Sequence, residues 1–133
     1  MRIRAFIEIM VEIMRKGCFM MSTYTEISTL PEWENVLQKS KDQPVLIFKH
    51  STTCPVSAAA YREFTSFKSD VETYLVKVIE SRPVSNEIES NLGVQHKSPQ
   101  IFLISDEKPV WHESHWNITE TKIGQAIENY QSK

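Results

Sequence analysis

The apolar residues of this chain recur with two periods, and the alternation between them predicts its elements. Tyr24 to Ile27 is a short strand candidate. Leu30 to Gln38 predicts a helix, with Pro31 in the first turn and Trp33, Val36 and Leu37 on the apolar side. Behind Pro44, the run Val45 to Phe48 is apolar at every position, as expected of a strand covered on both faces. A second helix opens at Pro55, and Val56, Ala60, Phe64 and Phe67 fall on one side at spacings of four, four and three. Tyr74 to Ile79 is a third strand rich in β-branched residues. Ser85 to Asn91 reads as a short helix closed by Gly93 as its C-terminal cap. Gln100 to Ile104 and Pro109 to Glu113 are strands joined through Ser105, Asp106, Glu107 and Lys108, a turn of hairpin length. Thr119 and Glu120 lead into a last helix whose inner side carries Ile123, Ala126, Ile127 and Tyr130.

Parallel crossovers therefore come first and an antiparallel hairpin last. The fold class this order specifies is α/β, a central mixed β-sheet flanked by helices on both faces. No repeat, low-complexity tract or Pro/Gly/Ser-rich linker divides the chain, so residues 22–133 are expected to form one domain behind an extension of residues 1–21. In that extension Ile3, Phe6, Ile7, Met10, Ile13 and Met14 recur at helical spacing opposite Arg4, Glu8, Glu12 and Arg15, the pattern of an amphipathic helix. Glu8 and Glu12 interrupt the apolar stretch and no small-residue cleavage site follows, so neither a targeting signal nor a membrane span is expected of it. Met20 and Met21 offer later starts, so the expectation is an optional segment without catalytic work, with a membrane-surface or partner-binding helix as the alternative.

Fifteen basic against seventeen acidic residues leave no electrostatic footprint of a nucleic-acid binder. The two cysteines, Cys18 and Cys54, have no CxxC partner and no ligand set at metal spacing, which argues against a disulfide framework and against bound zinc. A reducing, cytoplasmic compartment is the simplest setting. Cys18 lies in the extension and is expected to do no chemistry.

Cys54, in the stretch HSTTCPVS, sits where a strand ends and a helix begins. The free N–H groups and partial positive charge of a helix start stabilise an anion, so a thiol there is expected to hold a larger thiolate fraction, and the thiolate is what attacks a disulfide sulfur. The competing reading is an inert buried cysteine, which the polar neighbours Ser51, Thr52 and Thr53 disfavour. Ser57 stands where a resolving thiol would stand; its hydroxyl is a donor to the thiolate or an ordinary first-turn serine at the helix end. Pro99 after Ser98 opens a strand either as a trans turn proline or as a cis peptide presenting backbone to the thiol. In WHESHWNIT, residues 111 to 119, Trp111 and Glu113 face one side of a strand and His112 the other. His112 and His115 lack the companions a metal needs. Packing of Trp111 and Trp116 on the last helix is the expected reason for the cluster, and contact with a small polar ligand is the sharper alternative. A tyrosine-phosphatase-like loop fails, because seven residues separate Cys54 from Arg62 and no glycine-rich cradle is present.

The element order, the helix-opening Cys54 and the approach Gly93-Val94-Gln95-His96-Lys97-Ser98-Pro99 resemble the thioredoxin fold, with CxxS in place of CxxC. FKHSTTCPVSAAA at 48–60, HKSPQ at 96–100 and WHESHWNIT at 111–119 together resemble the monothiol bacilliredoxin family, over about Tyr24 to the C-terminus. The resemblance implies a monothiol oxidoreductase, with no bound cofactor, that removes the low-molecular-weight thiol bacillithiol from S-bacillithiolated client proteins. Cys54 would accept bacillithiol as a mixed disulfide and an external thiol, a second bacillithiol, would regenerate it. It further implies Ser57 as a helper of the thiolate, Pro99 as the cis-proline, and Thr53, Pro55, His50, Ser98, His112, His115 and Trp116 as candidate substrate contacts. A thioredoxin-fold binding or redox-sensing module in which Cys54 is only modified is the alternative.

Overall fold

A computed structural model describes residues 24–131; the amphipathic segment and Cys18 lie outside the described residues. In chain order the elements are β1 (Thr25–Glu26), α1 (Leu30–Lys39), β2 (Val45–His50), α2 (Pro55–Ser66), β3 (Glu72–Lys77), α3 (Arg82–Leu92), β4 (Gln100–Ser105), β5 (Lys108–Ser114), a 3₁₀ turn (His115–Asn117) and α4 (Glu120–Gln131). The sheet order is β1-β3-β2-β4-β5. β3 pairs parallel with β1 and β2, and β4 pairs antiparallel with β2 and β5. The fold is α/β with a mixed sheet, as the pattern predicts.

β2 is central, and its alternating side chains divide the core. Val45 and Ile47 join Trp33 and Val36 of α1 and Val84, Ile88 and Leu92 of α3. Leu46 and Phe48 join Ala60 and Phe64 of α2 and Ile123, Ala126 and Ile127 of α4. Both faces of the sheet are thus covered, which is why β2 reads as an unbroken apolar run.

Several boundaries differ from the sequence reading for local reasons. β1 keeps two residues of four, although Ile27 N–H still reaches the Leu75 carbonyl at 2.9 Å. β2 continues through Lys49 and His50, whose polar character hides the extension. β3 lies two residues earlier, and α3 opens at Arg82 with Pro83 in its first turn. The inner stripe of α2 is Ser57, Ala60 and Phe64, while Val56 and Phe67 are only partly buried. The capping box Thr29–Glu32 starts α1, and Gly93, at φ 67°, ends α3 as expected. No helix among the described residues is long and apolar enough to cross a membrane.

Candidate active site

Strand pairing brings the candidate residues to one end of the sheet. β2 ends at His50, and in the antiparallel β4 the partner of Lys49 is Gln100, so Pro99 enters the sheet beside His50. The Ser98–Pro99 peptide is cis, and Pro99 is buried. β5 ends at Ser114 opposite Gln100, and the next residue, His115, donates its N–H to the Pro99 carbonyl at 3.0 Å. The 3₁₀ turn that follows packs against α2.

Cys54 is the residue just before α2, with extended backbone and partial exposure, and its thiol makes no capping bond. The first N–H groups of α2 therefore have no side-chain acceptor from that position, an arrangement that favours an anion. Thr53 and Pro55 flank the thiol and are exposed.

Ser57 is fully buried one turn into α2. Its Oγ accepts the Ser51 N–H at 2.9 Å and lies 2.8 Å from His50 Nδ1. With the lone pair engaged by Ser51, the Ser57 proton is free to serve Nδ1, an arrangement that fits a neutral His50 protonated on Nε2. Burial, and then the charge of Lys77, hold the His50 pKa below its ordinary value, in agreement with that tautomer. The ring stacks between Phe48 and Tyr61 at 5.6 and 4.8 Å, and Tyr61 Oη meets Tyr24 Oη at 2.8 Å. Ser57 thus fastens the loop interior, and among the described residues no hydrogen bond joins its hydroxyl to the Cys54 sulfur.

The remaining candidates separate into two groups. His115 and Trp116 lie exposed in the turn clamped to Pro99, His115 at φ 56° and Trp116 at 69 % exposure. Trp111 packs on the core that includes α4 as expected, whereas the expectation that Trp116 does so is overturned: the turn directs it to solvent. His112 lies 6.0 Å from Phe102 on the sheet face covered by α1 and α3, away from the α2 face. Ser98 is partly buried, and its Oγ is enclosed without a hydrogen-bond partner. Among the described residues no three His, Cys, Asp or Glu side chains converge to hold a metal ion.

Lys49, His96, Glu89 and Gln100 also gather behind this site and were not read from sequence. Lys49 is fully buried, with Nζ 3.0 Å from His96 Nδ1. A strand lysine reads as exposed, and its partner is 47 positions away.

The family model for monothiol bacilliredoxin BrxC matches residues 25–123. The chain belongs to that family. A solved structure described as a candidate oxidoreductase with a thioredoxin fold is 33% identical, with a TM-score of 0.73 over 79% of this chain and 94% of that one. Thioredoxin from Trypanosoma brucei brucei is 10% identical at a TM-score of 0.69, covering 85% of this chain and 95% of that one. Mitochondrial thioredoxin 3 from Saccharomyces cerevisiae is 19% identical at 0.62, covering 80% and 94%. The two thioredoxins share the fold, and membership of the bacilliredoxin family makes thiol–disulfide redox chemistry the functional class of this chain.

Proposed function

We propose that this bacilliredoxin removes bacillithiol from S-bacillithiolated proteins with Cys54 as its nucleophile. The observation that carries the reading is a partly exposed cysteine at the start of α2 with a buried serine, already hydrogen-bonded, in place of a second thiol. The Cys54 thiolate attacks the bacillithiol sulfur of the client mixed disulfide. A bond forms between Cys54 Sγ and that sulfur, the old disulfide breaks, and the client thiolate leaves and takes up a proton. A second bacillithiol thiolate then attacks the bacillithiol sulfur on Cys54, releasing bacillithiol disulfide and restoring the Cys54 thiolate. Because Ser57 has no sulfur, the resting oxidised form is the mixed disulfide and the electrons come from the external thiol.

Backbone at Ser98–Pro99 is suited to support the client chain beside the thiol, and exposed Trp116 and His115 border the same end of the sheet. Bacillithiol serves as co-substrate, and the chemistry needs no metal. The cytoplasm, where thiols stay reduced, is the compartment that fits.

Intact-mass spectrometry of the protein mixed with a bacillithiolated test protein checks the first step. The expected result is one bacillithiol on the wild type, a freed client thiol, and no transfer to Cys54→Ala or Cys54→Ser. A client that stays capped overturns the reading. Cys54 modified without turnover in excess bacillithiol leaves a redox-sensing module instead.

A further inference from the structure

We propose that Lys49 is a positioning residue for thiol exchange: through His96 it braces the 93–99 loop, which carries Ser98–Pro99, against the strand that leads to Cys54. The proposal rests on the reading of Cys54 as nucleophile and of that loop as the rest for the client backbone.

An ammonium inside a protein core loses its hydration, a cost that only good pairing offsets. Lys49 is fully buried on the face covered by α1 and α3, yet β2 neighbours at Val45 and Ile47 on that face are apolar. Its hydrogen-bond partner is His96 Nδ1 at 3.0 Å, and Ser85 Oγ of α3 approaches the same nitrogen at 3.5 Å. The charged groups acting on the pair are Glu89 and Arg82 of α3; Glu89 favours the ammonium, and the burial that opposes it brings the Lys49 pKa down to about 8. The same pair holds His96 below its ordinary pKa, burial first and the Lys49 charge second, so its ring stays a neutral acceptor.

The bond joins two segments that the active site needs in register. Lys49 is one residue before His50, and His96 is three before Pro99. The loop is fixed at further points by side chains: Glu89 Oε2 accepts the His96 N–H at 2.6 Å, Gln100 Oε1 accepts the Lys97 N–H at 3.2 Å, and Gln100 Nε2 donates to the Gln95 carbonyl at 3.1 Å. Among the described residues Lys49 supplies the one side-chain hydrogen bond between the loop and β2, and so adds to the β2–β4 backbone pairing a second hold on the spacing of the thiol loop and the peptide that faces it. That spacing matters to rate, since a misplacement of about 1 Å is able to cost about a hundredfold.

Lys49→Met, which keeps length and removes the charge, tests the brace in the full chain. Amide hydrogen exchange at His96 and Lys97 is expected to rise at least about tenfold while α2 and β2 keep their protection. Transfer from a bacillithiolated peptide is expected to fall about tenfold, with alkylation of Cys54 by iodoacetamide staying within about twofold. His96→Leu should repeat both effects, and His96→Asn, which keeps an acceptor near the Nδ1 position, should restore them. Folded Lys49→Met with an unchanged loop overturns the proposal, as does a His96→Asn variant no better than His96→Leu. If wild type transfers no bacillithiol, the functional reading fails, and the exchange data still decide whether Lys49 braces the loop.

Discussion

At Ser57 one hydroxyl satisfies two groups of the thiol loop, the Ser51 N–H and His50 Nδ1. Ser57→Ala leaves both without that partner in a buried place, and is expected to cost about 1–3 kcal/mol in urea unfolding. Because the hydroxyl points to the loop interior, iodoacetamide alkylation of Cys54 should stay within about twofold of wild type. A large fall in alkylation rate at unchanged stability would instead make Ser57 a direct partner of the thiolate. Sequence was informative for residues whose type and place along the chain declare their chemistry: a cysteine before a helix, a proline opening a strand. It was silent where meaning comes from contacts that no spacing announces. His50 and Ser57 stood out as candidates without showing that they bond to each other, and Lys49 with His96, 47 positions apart, is chemically ordinary until the fold joins them.

Elements were legible where one local rule dominates. Gly93 reads as a helix cap because glycine alone is unstrained at the left-handed conformation it adopts, φ 67°. Gly93→Ala, which meets no atom in space, is expected to lose about 1 kcal/mol from backbone strain alone, measured by chemical unfolding. The hairpin was legible only in part. Its two central residues, Asp106 and Glu107, both have positive φ, the geometry of a type I′ turn that prefers glycine at the second position. A sequence of two acidic residues does not announce that turn. Support from Ser40, whose Oγ accepts the Glu107 N–H at 2.9 Å, holds it in place. Glu107→Gly keeps that backbone bond, loses only an exposed ion pair to Lys41, and should raise stability by about 1 kcal/mol. No gain in the urea midpoint would mean that the Ser40 contact already removes the strain.

For the molecule as a whole, two kinds of buried base set opposite margins of pH. His50 and His96 titrate below their ordinary value of 6.5 in the fold, so the unfolded chain takes up protons first as pH falls. Their contribution is complete above 6.5 and is lost on acidification through and below it. Lys49 likewise titrates at about 8 in the fold against 10.5 when free. Between those values the unfolded chain binds the extra proton, so the Lys49 share of stability rises with pH across that window and its penalty is at full strength below it. Lys49→Met removes that penalty and fills the same volume with an apolar side chain, so unfolding at pH 7 should show a variant as stable as wild type or more stable, and the rise above pH 8 should disappear. A lysine kept in the core at that cost is expected where a site needs geometry more than stability. The two measurements belong together: a variant that unfolds later and exchanges thiols more slowly is what a brace predicts, whereas one that unfolds earlier with the same pH profile would show that the Lys49 charge is not desolvated as its position requires.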